Sequence, residues 1–316
     1  MTTSPDFLRH LVDDAAIFPP GNVPLEQAVV EHRAHRAAPY SALVGGFVVS
    51  DTRLADLANA VVEEPGPTVV EERGTSVSEP VSKPLPINVV VTGGAGAIEP
   101  AVRWATRAEG LELKALEIAL RDEDDLARNA ARVVAMLDHL RDALPDSMGT
   151  GVEVYVEPPR MPHGPEHGWL AALDVIAMAD LRLKFRTGGV TADAFPSIAE
   201  LAASIDAALD RETPFKCTAG LHDAVRHTDP ETGFEHHGFL NVLLATRVAL
   251  DGGDVAAALS AERPAAEIST SSINGGPEVW ASARRWFTSF GSCSVLDVHE
   301  DLVELGLWAD DEGEGS

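Results

Sequence analysis

Short apolar segments alternate with longer segments of helical periodicity along most of the chain. The short segments are rich in Val, Ile, Leu and Phe and end at Gly, Pro or polar residues, as strands buried in a parallel sheet do. The longer segments repeat apolar residues every three or four positions, as helices covering such a sheet do. The predicted strands are residues 15–18, 43–49, 87–91, 113–119, 152–156, 181–185, 215–218 and 266–270. The predicted helices are residues 24–36, 52–63, 97–109, 124–144, 169–179, 197–210, 237–250 and 277–290.

This alternation predicts a parallel α/β fold, and the chain length of 316 residues suits a (β/α)8 TIM barrel. If the first and last strands were lost, the pattern would fit an open doubly wound parallel sheet, which is the alternative. We predict a single barrel domain over residues 1–309. Residues 63–86, with five prolines and no helical period, are predicted to form a disordered surface insertion, and residues 310–316 a disordered acidic tail.

The net charge of the chain limits its partners. Acidic residues outnumber basic residues by 50 to 24, which gives a formal charge of −26. Such a surface repels nucleic acid and anionic membranes, so neither is expected as a partner. No apolar run approaches the ~20 residues of a membrane span, and the first residues lack signal-peptide features. With only two cysteines, we expect a reducing, cytoplasmic location, and the sequence leaves a homo-oligomer open.

Two of the four lysines of the chain lie in matching settings. Lys184 and Lys216 each lie near the carboxyl end of a predicted apolar strand, and a glycine turn follows each strand. One strand–helix–strand step separates them, which places them on the sixth and seventh predicted strands. Active sites form at the carboxyl ends of neighbouring parallel strands. Two lysines in one pocket repel each other and lose hydration, so we expect a lowered lysine pKa and a free amine nucleophile.

The segments Lys184-Phe-Arg-Thr-Gly188 and Lys216-Cys-Thr-Ala-Gly220 resemble the lysine motifs of class I (Schiff-base) aldolases, most closely the deoxyribose-phosphate aldolase family. In that family one lysine ends strand six in Lys-Thr-Ser-Thr-Gly, and another ends strand seven in Lys-x-x-Gly-Gly. The resemblance covers residues 181–222, and Arg186 and Ala219 depart from the motifs. It implies a carbon–carbon lyase in which Lys184 forms the imine and Lys216 lowers its pKa.

Arg186 indicates the charge of the substrate. It shares the strand face of Lys184, because residues two apart on a strand point the same way. A guanidinium beside an amine is suited to a carboxylate or phosphate, so the predicted substrate is a small anionic carbonyl compound. The alternative is that Arg186 pairs with a glutamate of the barrel, for which the candidates are Glu117, Glu153 and Glu157.

Glu117 and His222 are the candidates for proton transfer. Glu117 lies in an apolar strand, where an unpaired carboxylate would be costly, and His222 follows the second lysine turn. Asp13 and Asp14, ahead of the first predicted strand, are interpreted as part of an ordinary turn. The further predicted substrate contacts are Thr187, Gly188, Gly189, Thr218, Gly220, His237 and Asn241.

A group of histidines supports a second function. His222, His227, His236 and His237, with nearby carboxylates, form an alternative site for a divalent metal in a metal-dependent lyase or hydrolase. The aldolase interpretation expects no cofactor, and then these loop histidines are solvated or hydrogen-bonding groups. A third interpretation is a barrel that binds a small anion without reacting.

Overall fold

The computed structural model describes residues 5–63, 83–121, 124–143, 151–275 and 278–309. Eight parallel strands among these residues close into a barrel surrounded by helices, so the structure confirms the predicted (β/α)8 TIM barrel. Neighbouring barrel strands follow in chain order, and the last pairs with the first. The strands are Val12–Asp14 (β1), Val44–Ser50 (β2), Leu85–Val91 (β3), Leu111–Ala119 (β4), Glu153–Glu157 (β5), Arg182–Arg186 (β6), Phe215–Thr218 (β7), His227–Thr228 (β8), Glu235–His236 (β9) and Phe287–Ser292 (β10).

The helices lie outside the barrel and bury the outward-facing apolar side chains of the strands in one continuous core. The short β8 and β9 strands form a separate antiparallel hairpin between β7 and the next helix. No described helix is both long and apolar enough to cross a membrane. The helices are Leu25–Ala37 (α1), Leu54–Glu63 (α2), Ala95–Arg107 (α3), Leu126–Ala143 (α4), His167–Met178 (α5), Ile198–Leu209 (α6), Phe239–Leu250 (α7), Val255–Leu259 (α8), Pro264–Gly275 (α9), Glu278–Arg284 (α10) and Val295–Glu304 (α11).

The eighth barrel strand is β10, and the predicted strand at residues 266–270 is wrong, because that segment lies within α9. The predicted helix at 277–290 is correspondingly too long. Phe287 and Phe290 are both fully buried although they are three positions apart. The pairing register of β10 with β7 shifts between these two phenylalanines, as at a β-bulge. Such an irregularity gives a strand the apolar spacing of a helix, which explains the error.

The first barrel strand also differs from the prediction. It occupies Val12–Asp14, and residues 15–18 form the loop that follows it. The sequence interpretation assigned Asp13 and Asp14 to an ordinary turn, and carboxylates are indeed rarely buried without a partner. Both side chains are nevertheless buried, and both find hydrogen-bonding partners inside the protein.

Two predicted segments fall largely outside the described residues. Of the predicted insertion at 63–86, residues 64–82 are not described, whereas β3 already begins at Leu85. The predicted tail at 310–316 lies wholly outside the described residues.

Candidate active site

A cavity of about 260 Å³ opens at the carboxyl ends of the barrel strands. Lys184 and Lys216 both line it, as the strand pattern predicts. They are paired in register on β6 and β7, so their side chains leave the sheet side by side. Val48, Val90 and Phe18 contribute apolar walls. The volume suits a small molecule, since it lies just below the ~300 Å³ lower bound of drug-sized pockets.

Strand alternation explains why charged side chains point into this cavity. On β6, Leu183 and Phe185 face the helices and are buried, whereas Lys184 and Arg186 face the barrel interior. The same alternation on β4 turns Glu117 inward between two outward apolar residues. The local sequence therefore sets which side chains enter the barrel, and the closed sheet brings them together.

Lys216 is held by two carboxylates that are distant in the sequence, Asp13 on β1 and Glu117 on β4. Its Nζ donates hydrogen bonds to Asp13 Oδ2 and to Glu117 Oε1, each at 2.6 Å. The amine also lies 5.3 Å from the ring centre of Tyr155, within the range of a cation–π contact. Only 1% of the Lys216 surface is exposed, so these contacts replace water around the charge.

Lys184 shares Glu117 with Lys216. Its Nζ lies 2.7 Å from Glu117 Oε2 and 3.1 Å from Glu157 Oε2. Glu157 also accepts a hydrogen bond from Arg186 Nε at 2.9 Å, which fits the predicted alternative that this arginine pairs with a barrel glutamate. The Arg186 side chain remains 43% exposed and lines the cavity, whereas Lys184 is buried. Three cations and three carboxylates thus form one chain of contacts.

The charges of this network stabilise one another. Burial alone would raise the pKa of Glu117, but attraction to Lys184 and Lys216 outweighs burial and lowers it to about 2. Burial alone would lower the pKa of Lys184, but attraction to Glu117 and Glu157 raises it above its ordinary value. Burial alone would likewise lower the pKa of Lys216, but attraction to Asp13 and Glu117 outweighs burial and raises it. The predicted net lowering of the Lys184 pKa is therefore wrong: repulsion from Lys216 does lower this pKa, but attraction to Glu117 and Glu157 outweighs that repulsion.

Asp13 is a site residue that the sequence interpretation assigned to a turn. Besides Lys216, its carboxylate accepts hydrogen bonds from Ser289 Oγ at 2.7 Å and from the Gly46 backbone N–H at 3.0 Å. A Cβ at Gly45 would lie 2.4 Å from Asp13 Oδ1, so the glycine leaves the space that this carboxylate fills. The sequence signal for Asp13 was its place in a pair of acids ahead of an apolar run and a Pro-Pro-Gly turn.

Of the predicted substrate contacts, Arg186, Gly189 and Thr218 line the cavity. Thr187 and Asn241 are fully buried and bond to backbone groups, namely Thr218 O for the threonine and Arg226 N–H for the asparagine. The other three predicted contacts do not line the cavity either: Gly188 and Gly220 pack against each other, and His237 is buried with Nε2 2.8 Å from Pro196 O.

His222, predicted as a proton-transfer residue, lines the cavity beside a cysteine. Its Nδ1 lies 3.2 Å from Cys293 Sγ, which follows β10. Burial lowers the pKa of His222, so its neutral form is favoured near neutral pH. Cys293 had no signal in the sequence, because its proximity to His222 depends on how β7 and β10 pair in the barrel.

The four histidines of the predicted metal alternative do not converge on one point. His222 faces the cavity and His237 is buried elsewhere, whereas His227 and His236 lie close to Asp223 on and beside the β8–β9 hairpin.

The fold and this cavity define a (β/α)8-barrel protein with a buried network of lysines and carboxylates at the carboxyl ends of its strands. No model of a known protein family matches the chain, and no curated protein matches it.

Proposed function

We propose that this protein is a lyase of the Schiff-base aldolase type that acts on a small anionic carbonyl compound through Lys184. The observation that carries the proposal is the placement of two buried lysines around one glutamate in a small cavity bordered by a partly exposed arginine. Lysines are almost never buried without a partner or a role. A cavity with an amine and a guanidinium has the groups needed to hold an anionic carbonyl compound.

Lys184 is a better candidate for the nucleophile than Lys216. Lys216 is held at 2.6 Å by each of two carboxylates, and Asp13 is itself fixed by two further donors. The second carboxylate contact of Lys184 is longer, at 3.1 Å, and Arg186 competes for the same glutamate. The Lys184 amine is therefore the one more easily released from its ion pairs.

The substrate itself would help to deprotonate Lys184. Burial alone would raise the pKa of Glu157, but Lys184 and Arg186 lower it. A substrate anion that binds Arg186 draws the guanidinium away from Glu157, so the pKa of Glu157 rises. Glu157 then becomes a stronger acceptor for the Lys184 proton, and the ion pair changes into a neutral amine and a carboxylic acid. This order of events limits the free amine to the substrate-bound enzyme.

The reaction that follows uses groups already in the cavity. Lys184 Nζ attacks the carbonyl carbon, and the oxygen takes up a proton from a neighbouring acid. Loss of water gives an iminium, into which the electrons of the adjacent carbon–carbon bond move as that bond breaks. Glu117 or His222 accepts the proton of the hydroxyl that becomes the new carbonyl. The α-carbon of the resulting enamine takes up a proton, which the same base can return, to give an iminium, and water hydrolyses this iminium to the second carbonyl product and restores the lysine.

Borohydride trapping tests the nucleophile directly. The full-length protein is incubated with pyruvate and a panel of small aldehydes, reduced with borohydride and mapped by mass spectrometry. Because the chain has only four lysines, an adduct can be assigned to one residue without ambiguity. We expect Lys184 to carry the adduct, with exposed Lys114 as the internal control for non-specific modification. An adduct on Lys114 alone, or no adduct with the whole panel, contradicts the proposal.

The variant Lys184→Arg separates the lyase from an anion-binding barrel. Arginine keeps a cation at this position but cannot form an imine. We expect the variant to fold, as judged by circular dichroism, and to lose all adduct formation and turnover. A non-catalytic binding barrel would keep its anion binding in this variant, whereas turnover at more than a small fraction of the wild-type rate would refute the imine.

A further inference from the structure

The β8–β9 hairpin brings two imidazoles and a carboxylate together outside the lysine network. His227 and His236 are directly opposite each other on the two antiparallel strands, with ring centres 5.0 Å apart. Asp223 approaches the same pair, with Oδ2 3.5 Å from His227 Nε2. One ligand atom from each of these residues lies within 4.8 Å of the other two. These groups form what we call the hairpin cluster.

The His236 ring of the hairpin cluster packs against Phe195, with ring centres 4.5 Å apart, but the ring nitrogens of the cluster are not all paired. His236 Nδ1 is buried and has no hydrogen-bond partner among the residues that the structure describes. In the tautomer protonated on Nδ1, His227 donates a hydrogen bond to Val225 O at 3.3 Å, which leaves Nε2 unprotonated, 3.5 Å from Asp223 Oδ2. A second ring nitrogen bonded to a carbonyl is the usual support of a metal-bound histidine.

The neighbouring polar side chains of the hairpin are already paired. Glu235 forms an ion pair with Arg226 and accepts a hydrogen bond from Thr228. The Asp229 carboxylate accepts the backbone N–H groups of Glu231 and Thr232 and so closes the turn. The hairpin therefore has polar contacts of its own besides those within the hairpin cluster.

We propose that Asp223, His227 and His236 bind a divalent transition metal ion, with zinc as the preferred metal. Two imidazoles and one carboxylate are typical zinc ligands, whereas magnesium and calcium favour oxygen ligands alone. Zinc bonds of about 2.0–2.2 Å require the three ligand atoms to close to roughly 3.5 Å, and the half-exposed Asp223 side chain has room for that movement. Three protein ligands leave a coordination position open. Asp223 directly follows the cavity residue His222 in the chain.

The site is independent of the Schiff-base proposal, because borohydride trapping of Lys184 requires no metal. One test can therefore fail without the other. A metal here would act as a Lewis acid on a water molecule or another bound oxygen ligand.

The test is zinc binding to the full-length protein after treatment with a chelator, measured by isothermal titration calorimetry. We expect one zinc ion per chain, and magnesium at the same concentrations should not compete. The substitutions Asp223→Asn, His227→Gln and His236→Gln should each weaken binding by at least about 10-fold, since even lost outer-shell contacts cost that much. His139→Gln, which changes an exposed histidine on α4, is the matched control and should bind as wild type.

Cobalt substitution distinguishes this site from the nearby cysteine and histidine. A site without sulfur gives weak visible bands and no thiolate charge-transfer band, so that spectrum supports the proposal. A thiolate band that disappears in Cys293→Ser would place the metal at the Cys293–His222 pair and overturn it. Equal zinc affinity of wild type and the triple variant Asp223→Asn/His227→Gln/His236→Gln would also overturn it. Circular dichroism of each variant verifies that the barrel is folded.

Discussion

Glu117 joins the two lysines, because one carboxylate oxygen contacts each amine. Its replacement by Gln keeps the side-chain shape but removes the charge that both buried cations share. Breaking a buried ion pair by removing one partner typically costs about 3–5 kcal/mol, so we expect Glu117→Gln to lower the free energy of unfolding by about that amount at pH 7. Chemical denaturation measures the loss. Glu112→Gln, which breaks the exposed pair with Lys114, is the control and should cost less than about 1 kcal/mol.

The pH dependence of that loss identifies its electrostatic origin. The pKa of Glu117 falls from an ordinary value of 4.5 to about 2 on folding, so its charge stabilises the protein fully above about pH 4.5. This contribution is lost as the pH falls from 4.5 towards 2, because the unfolded chain binds the proton first. The difference in unfolding free energy between wild type and Glu117→Gln should therefore shrink over this range. A difference that stays constant down to pH 3 would mean that packing, and not charge, is the cause.

At the scale of elements, the turns after β6 and β7 depend on two glycines in contact. A Cβ at Gly188 would lie 2.7 Å from Gly220 Cα and 2.9 Å from Phe195 Cε1. Gly220 also has φ +72°, which disfavours any other residue, and a Cβ there would lie 2.8 Å from Thr187 O. The sequence interpretation placed these glycines at the substrate. Their contact instead brings the ends of the two lysine strands close together.

Gly188→Ala should accordingly destabilise the protein by about 1–3 kcal/mol, the usual cost of inserting a methyl group into a filled space. Gly168→Ala in α5 is the matched control, because a Cβ there meets no atom within 4 Å. Alanine is also the better helix former, so the control should be neutral or slightly stabilising. Thermal unfolding of both variants measures the difference. If Gly188→Ala unfolds at the same temperature as Gly168→Ala, the close contact between the two turns does not exist in solution.

At the scale of the whole molecule, the formal charge of −26 makes the folded state repel itself. Raising the NaCl concentration from about 0.01 to 0.15 M shortens the screening length from about 30 to about 8 Å. We therefore expect the melting temperature to rise by a few degrees over this range, measured by differential scanning calorimetry. Salt screens the buried network much less than the surface charges. The loss of stability caused by Glu117→Gln should therefore persist at the higher salt concentration. A melting temperature that falls with salt would mean that surface ion pairs outweigh the net repulsion.

The sequence by itself determined the barrel, the strands that carry Lys184 and Lys216, and the face on which both side chains emerge. These features depend on local patterns: strand side chains alternate every two residues, helices repeat every three to four, and glycine turns follow the two lysine strands. Because these patterns are local, they also caused the wrong assignments of β1 and β10. The irregular β10 strand has the apolar spacing of a helix, and the acids of β1 look like a turn when their partners are unknown.

Only the tertiary structure decided the charge state of the site. Asp13 and Lys216 are 203 positions apart in the chain, and they meet because the closed barrel brings β1, β7 and β10 together. Lys216 lowers the pKa of Lys184 by repulsion, and the carboxylates that β4 and β5 place beside Lys184 outweigh this repulsion, so that the net pKa is raised. Coulomb energies depend on distances of a few ångströms, and barrel closure sets those distances. A sequence pattern can place both lysines in one cavity, but it cannot give the sign of their pKa shifts.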